Sequence, residues 1–284
     1  MPDLEGLESL PLISLPEVLA SAPATTRVDR KYLVPLERAE LFLARLPASV
    51  HLLSIDSRLT TSYRSTYFDT ADLLTCRAHV QGRRRRWKAR SRLYVEDGLC
   101  RLELKVRDGS GMTQKFFHPT TSDTYGQMNG TAAAFFHGQL LTHGHTEALV
   151  LEPAVEVCYE RATLADPGTG TRVTIDSGIR ASRHEQSVEV DPGHLIVETK
   201  GGRAPGVADQ LLKQLGARPV SLSKYAASAS LMDARIADND VRHLLGSQLR
   251  LLTGSDGEAA VDPVGQPAAM PATQPPHENL RRTA

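Results

Sequence analysis

The sequence predicts an α+β fold built on a mostly antiparallel sheet, open or closed into a barrel, with helices at intervals and at the C-terminal end. Three observations lead there. Between residues 25 and 252 the dominant hydrophobic period is two, in segments of strand length. The spacing from strand to turn to strand suits antiparallel neighbours. The 3.6-residue period is confined to four stretches.

Taken in order, residues 1–24 carry Pro2, Pro11, Pro16 and Pro23, which break any long element and suggest a flexible N-terminal arm. Arg27–Val34 is predicted as a strand. An amphipathic helix follows over Leu36–Leu46, with Leu36, Phe42, Leu43 and Leu46 on one side. Ser62–Asp69 is a strand whose last residue can cap the next turn. Val80–Arg90 and Leu99–Val106 are strands, and Arg107–Gly111 turns the chain into Met112–His118. Ala132–Thr142 is helical. Ala154–Leu164, Arg172–Ile179 and Leu195–Lys200 are strands, while Gly206–Gly216 and Leu222–Ala234 are helices, giving about eight strands in all. Residues 253–284 are rich in Gly, Pro, Ala and Gln, lack bulky apolar periodicity and suggest a disordered tail. One folded domain over 25–252 remains, with no internal repeat of fixed period.

Composition narrows the partners. Among 284 residues, 40% are apolar and 23% charged, with a net charge of zero. No apolar run approaches the roughly 20 residues a membrane helix needs, and no secretory signal opens the chain, so no membrane insertion is expected. Cys76, Cys100 and Cys158 form an odd set without a C-x-x-C pair; this argues against a disulfide framework and a cysteine zinc site and suits a reducing cytoplasm. The zero net charge hides an asymmetry: residues 27–118 hold 19 Lys and Arg against 10 Asp and Glu. Such confinement of positive charge points to an anionic ligand.

Side-chain alternation sharpens this. Along Arg101–Arg107 one face carries Arg, Glu, Lys and Arg, and the other Leu, Leu and Val. Arg84, Arg86, Lys88 and Arg90 share a face, as do Arg172, Thr174 and Asp176, and Glu198 with Lys200. A single strand of this kind reads as one face of a solvated sheet. Several of them, mixing many cations with a few carboxylates, suit a polyphosphate held with a divalent metal.

The ordered pieces RVDRKYLV (Arg27–Val34), YRSTYFDT (Tyr63–Thr70), RRRRWKAR (Arg83–Arg90), LELKVR (Leu102–Arg107), YERATL (Tyr159–Leu164), VTIDSGIR (Val173–Arg180), LIVETKG (Leu195–Gly201) and SLSKYAAS (Ser221–Ser228) carry a resemblance. Over residues 25–234 the chain resembles the VTC (vacuolar transporter chaperone) polyphosphate polymerase domain of the CYTH/triphosphate tunnel superfamily. That resemblance implies a closed, antiparallel eight-stranded tunnel with flanking helices. It implies ATP and inorganic polyphosphate as ligands and Mn2+ or Mg2+ as the metal. By the same resemblance, Lys31 is similar to the phosphate-contacting lysine of the first strand, and Arg84 and Arg86 to the R-x-R pair before an aromatic residue. Glu103 and Lys105 resemble the E-x-K pair, Arg161 the arginine of the Y-x-R strand, Glu198 the metal-binding glutamate with Lys200 beside it, and Lys224 the lysine of the S-K-[FY] helix that closes over the site. Arg84, Arg86, Lys105 and Arg161 are therefore the expected catalytic residues, with Lys31, Lys88, Lys115, Lys200 and Lys224 binding substrate and Glu198 and Glu103 holding metal. One departure stands out. The superfamily opens with E-x-E-x-K, whereas this chain has Arg27-Val28-Asp29-Arg30-Lys31, which is closer to the polymerase branch than to the hydrolase branch.

Other features read as structural. The Arg83–Arg86 run has arginines facing both ways on a strand and one aromatic neighbour, Trp87, which is poor equipment for nucleic acid. The His143-Gly144-His145 stretch reads as a solvated loop, and Gly109-Ser110-Gly111 as a hairpin turn. No Walker, nucleophile-elbow or zincin motif occurs. The sequence thus predicts a metal-dependent, polyphosphate polymerase-like phosphotransferase using ATP. A triphosphatase and a non-catalytic polyphosphate or triphosphate binder are the alternatives.

Overall fold

Alternation of residue type becomes alternation of face in strand β6 (Leu99–Arg107). Leu102, Leu104 and Val106 are buried, while Arg101, Glu103, Lys105 and Arg107 point the other way. The computed structural model describes residues 4–21 and 28–253, and the same rule organises all of them. The first half comprises β1 (Leu12–Ser14), α1 (Leu15–Ser21), β2 (Val28–Pro35), α2 (Leu36–Ala44), β3 (His51–Ser54), β4 (Thr61–Asp69), α3 (Leu74–Val80), β5 (Arg86–Tyr94), β6 and β7 (Thr113–Thr120). The second half adds α4 (Gly130–Thr142), β8 (Glu152–Asp166), β9 (Thr171–Arg183), β10 (Gln186–Val190), β11 (His194–Gly201), α5 (Val207–Gln214), α6 (Lys224–Met232), α7 (Asn239–Arg242) and β12 (Leu249–Thr253).

Among the described residues this is an α+β fold on one mostly antiparallel sheet of twelve strands. Its spine is a run of eight antiparallel strands, β2–β11–β9–β8–β4–β5–β6–β7. The spine curls, because β2 and β7 at its two ends both contribute to one cavity. The closed eight-stranded barrel needs correcting on two points. Among the described residues the sheet has twelve strands and β2 and β7 share no ladder, so hydrogen bonds do not close the ring. The short strands β1, β3, β10 and β12 branch from the long strands β8 and β9.

Helices cover the outer face. Phe136 and Leu140 of α4 pack on Trp87, Leu102 and Leu104. Phe42 of α2 and Leu212 of α5 pack on Val34, Leu195 and Val197. Helix α6 instead sits at the inner face. Its Tyr225, Ala226 and Ala229 join Val155 and Val157 of β8, on the same side of that strand as Tyr159 and Arg161. One end of the curl is therefore filled by apolar contacts, and the charged residues occupy the remainder. Asp69, fully buried at the end of β4, accepts from the Thr75 and Cys76 amides of α3 at 2.9 Å each and from the Tyr225 hydroxyl of α6 at 2.5 Å, tying these elements together.

Two further expectations change. Residues 4–21 are not a flexible arm: β1 pairs in parallel with β3, Leu4 and Leu7 are buried beside Phe42 and Leu43, and Ile13 and Val18 pack on Ala165. Pro16 lies in the first turn of α1, where a helix needs no N–H from it. The strand predicted from Val80 begins only at Arg86, since Val80 closes α3 and Gly82 turns the chain with φ +64°. Arg27 and residues 254–284 of the predicted tail lie outside the described residues.

Candidate functional site

The inner face forms a cavity of about 280 Å3 whose walls come from β2, β4, β5, β6, β7, β8, β11 and the start of α6. Strand register arranges its charges in rows. Lys88 of β5 stands opposite Lys105 of β6, which stands opposite Lys115 of β7. Like charges placed directly across a sheet repel. Burial first, and then Lys31, Lys105 and Arg90, push the Lys88 ammonium well below the usual lysine range. Lys88 donates to Ser223 Oγ at 3.1 Å, and Lys31 donates to the Leu222 carbonyl at 2.9 Å, so both lysines also hold the turn that starts α6.

One inward step along β5 lies Arg90, whose Nε donates to Glu103 Oε2 at 2.8 Å and whose Nη1 donates to the Tyr67 hydroxyl at 2.9 Å. Arg92 follows, with Nη1 at 3.9 Å from Glu103 Oε1 and its guanidinium over the Tyr63 ring. Burial alone would raise the Glu103 carboxyl; Arg90 and Arg92 outweigh it and hold the group at about 2. Glu103 therefore fixes arginines.

The opposite wall repeats the device with other residues. Arg161 makes a bidentate pair with Asp176, at 2.6 Å from Nε to Oδ1 and 2.8 Å from Nη2 to Oδ2, and Lys224 reaches the same carboxylate. Asp176 is fully buried. Despite that burial, Arg161 and then Lys224 hold it below the usual carboxylate range. Arg161 and Lys224 also stack over the Tyr159 ring. On β11, Lys200 lies 3.4 Å from Glu198 and donates to Thr174 Oγ1 at 3.0 Å. Burial lowers the Lys200 ammonium to about 8, and Glu198 opposes the shift. Glu198 is itself held well below the carboxylate range: burial raises it, and Lys200 and then Lys31 overcome that.

For a divalent cation, the cavity offers oxygen donors on adjacent strands, Asp29 of β2 and Glu198 of β11, which suit Mg2+ or Mn2+ rather than a soft metal. Among the described residues no group of three or more His, Cys, Asp or Glu could hold an ion alone. Two carboxylates fit the mode in which Mg2+ shares its coordination with substrate phosphates. Glu103, claimed by Arg90 and Arg92, fits less well.

Of the residues singled out from sequence, Lys31, Lys88, Glu103, Lys105, Lys115, Arg161, Glu198, Lys200 and Lys224 meet in this cavity. Arg84 and Arg86 do not line it. Arg84 is exposed in the bend before β5, and Arg86, first residue of β5, donates to the Arg83 carbonyl at 2.6 Å. With the strand starting late, the R-x-R pair that lines the cavity is Arg90 and Arg92. Continuing the alternation past Arg90 to Tyr94 locates Arg92. Asp29, Asp176 and Tyr159 also take places at the site that sequence reasoning had not assigned. The His143 and His145 rings pack against Phe116 and Trp87. Among the described residues no helix is long and apolar enough to cross a membrane.

Comparison with known proteins gives a family match and distant likenesses. The family model of the VTC domain matches residues 26–232. No curated protein matches. Among solved structures, HpAC1 from Hippeastrum, an adenylyl cyclase candidate with a dominant triphosphatase activity, is 15% identical with a TM-score of 0.45, over 71% of this chain and 94% of that one. An adenylate cyclase candidate from Bacillus halodurans is 14% identical with a TM-score of 0.42, over 69% and 93%. One from Vibrio parahaemolyticus is 13% identical with a TM-score of 0.39, over 69% and 94%. None of these likenesses places a role on a residue of this chain.

Proposed function

The chain belongs to the VTC domain family, and from that premise we propose that its cavity binds ATP and inorganic polyphosphate with Mn2+ or Mg2+ and transfers a phosphoryl group between them. The observation that carries the reading is the meeting of Arg90, Arg92, Lys105, Arg161 and Lys200 around one cavity, with Glu103 and Asp176 holding the arginines in place.

Phosphoryl transfer asks a protein mainly for in-line positioning and for neutralisation of charge on the equatorial oxygens. Fixed guanidinium groups in a water-poor space act more strongly than in bulk water, and Glu103 and Asp176 aim them before substrate arrives. A terminal oxygen of the polyphosphate chain attacks the γ-phosphorus of ATP; a new P–O–P bond forms, the bond to the β-phosphate oxygen breaks, and ADP leaves. Arg90 and Arg92 would orient the phosphates from β5, and Arg161 and Lys200 from the opposite wall. Lys31, Lys88 and Lys224 would bind phosphate beside the start of α6. Bound through Glu198 and Asp29, the metal would supply further neutralisation of phosphate charge.

Incubating the protein with ATP and either metal tests the proposal. ADP together with lengthening polymer supports it. Free phosphate without polymer replaces it with triphosphatase chemistry, in which water is the acceptor. Thermal protection by tripolyphosphate without turnover replaces it with a binding module.

A further inference from the structure

The Arg83–Arg86 run, which the cavity does not use, has a physical oddity beside it. Arg86 and Arg107 stand directly opposite each other across β5 and β6, one inward-facing position beyond the Lys88 and Lys105 pair. Two guanidinium groups in that relation repel. Neither forms an ion pair among the described residues, and Arg107 Nε is buried without a hydrogen-bond partner. The nearest carboxylate in sequence, Asp108, is turned into its own hairpin, where it accepts from the Ser110 and Met112 amides at 2.9 and 3.0 Å. Next to Arg86, Arg83 and Arg84 are exposed. On the cavity side, Lys105 and Lys115 are also exposed, so the cavity opens to solvent at this row. Positive charge therefore continues without interruption from the open edge of the cavity to the outer surface.

From this continuity we infer that Arg83, Arg84, Arg86 and Arg107 form an external track for the part of a linear polyphosphate chain that extends beyond the cavity. The track would give the protein a preference for long chains over tripolyphosphate. Guanidinium groups suit this ligand, because each can pair two oxygens of a phosphate unit. The inference rests on the cavity reading above and adds the polymer length to it. A single-stranded nucleic acid is the competing polyanion; few aromatic faces stand beside these arginines on which its bases could stack.

Calorimetric titration of the full chain with tripolyphosphate and with long-chain polyphosphate tests the track. The variants are Arg83→Gln/Arg84→Gln, which alters only exposed side chains, and Arg86→Gln/Arg107→Gln, each checked for an unchanged unfolding midpoint in the absence of ligand. Either pair is expected to weaken long-chain binding about three- to tenfold, the range for a few exposed charge contacts, with tripolyphosphate affinity unchanged. Unchanged long-chain affinity in both variants overturns the track. Equal losses for both ligands overturn it too, by assigning the arginines to the cavity. A single-stranded RNA of equal charge that binds the wild type as tightly as polyphosphate, and is lost in the same variants, makes the strip a nucleic-acid surface instead. If the wild type binds no tripolyphosphate, the cavity reading fails and the track fails with it.

Discussion

Asp176→Asn removes the one fully buried carboxylate on which Arg161 and Lys224 converge, while keeping its shape. Both cations stay where the fold has put them. Breaking a buried ion pair by removing one partner costs about 3–5 kcal/mol, because the remaining charge is left uncompensated in a poorly solvated place. For a domain of this size each kcal/mol moves the unfolding midpoint by roughly 2–4 °C, so the variant should melt ~6–20 °C below the wild type. The sign then reverses with ligand. A bound polyanion supplies the missing negative charge, so tripolyphosphate should raise the midpoint of Asp176→Asn by more than it raises that of the wild type. Differential scanning fluorimetry at a fixed metal concentration, with and without tripolyphosphate, reads both shifts. A variant that melts within 2 °C of wild type, or that gains no more from the ligand, would refute the view that this carboxylate is a placeholder among cations awaiting phosphate.

Other predictions follow from the same wall. Arg92→Gln should lower the rate of ADP formation about 10²- to 10³-fold, the usual loss for one preorganised donor to developing charge, with the unfolding midpoint little changed; steady-state kinetics that match wild type would remove Arg92 from the machinery. Glu198→Gln should abolish the dependence of turnover on Mn2+ or Mg2+, measured by metal titration at saturating ATP, and a wild-type metal curve would exclude Glu198 as a ligand. Lys200 titrates near 8 in the free protein against 10.5 for an ordinary lysine. Its folded value is depressed, so the unfolded chain binds more protons between those values and this group's effect on fold stability becomes more favourable as pH rises through that window. Ligand binding runs the other way: phosphate favours the ammonium, so binding near pH 8 should take up a proton and affinity should fall as pH rises above 8. Calorimetry in buffers of different ionisation enthalpy measures the uptake, which Lys200→Met should reduce.

Much of the fold could be read from alternation alone. Strands β2, β4, β6, β8, β9 and β11 and helices α2, α4, α5 and α6 lie within a few residues of where the periods of two and 3.6 place them. Leu102, Leu104 and Val106 are buried as their spacing requires. What escaped was set by longer-range contacts. The N-terminal segment is too short and too broken by proline to signal structure by itself; its order comes from pairing with β3 and from Leu4 and Leu7 reaching the α2 core. The cavity is lined by Arg90 and Arg92 rather than by Arg84 and Arg86, a difference of position along the strand and not of face. Four consecutive arginines offer no apolar contrast to mark where a strand begins, and on the same face the residues that reach the cavity lie further along, at Lys88, Arg90 and Arg92. Asp176 was visible as one member of an alternating face, but its bond to Lys224 links residues 48 apart and no local pattern records it.

The gap between β2 and β7 bears on what such a chamber can admit. In a barrel laced all the way round, strand number and stagger set the calibre, and changing it ruptures main-chain bonds. Here the two lips can part or approach through small changes of twist spread over the intervening strands, with every ladder intact. Both lips carry lysines that line the chamber, Lys31 on β2 and Lys115 on β7, so a guest of opposite charge is attracted from either side of the gap.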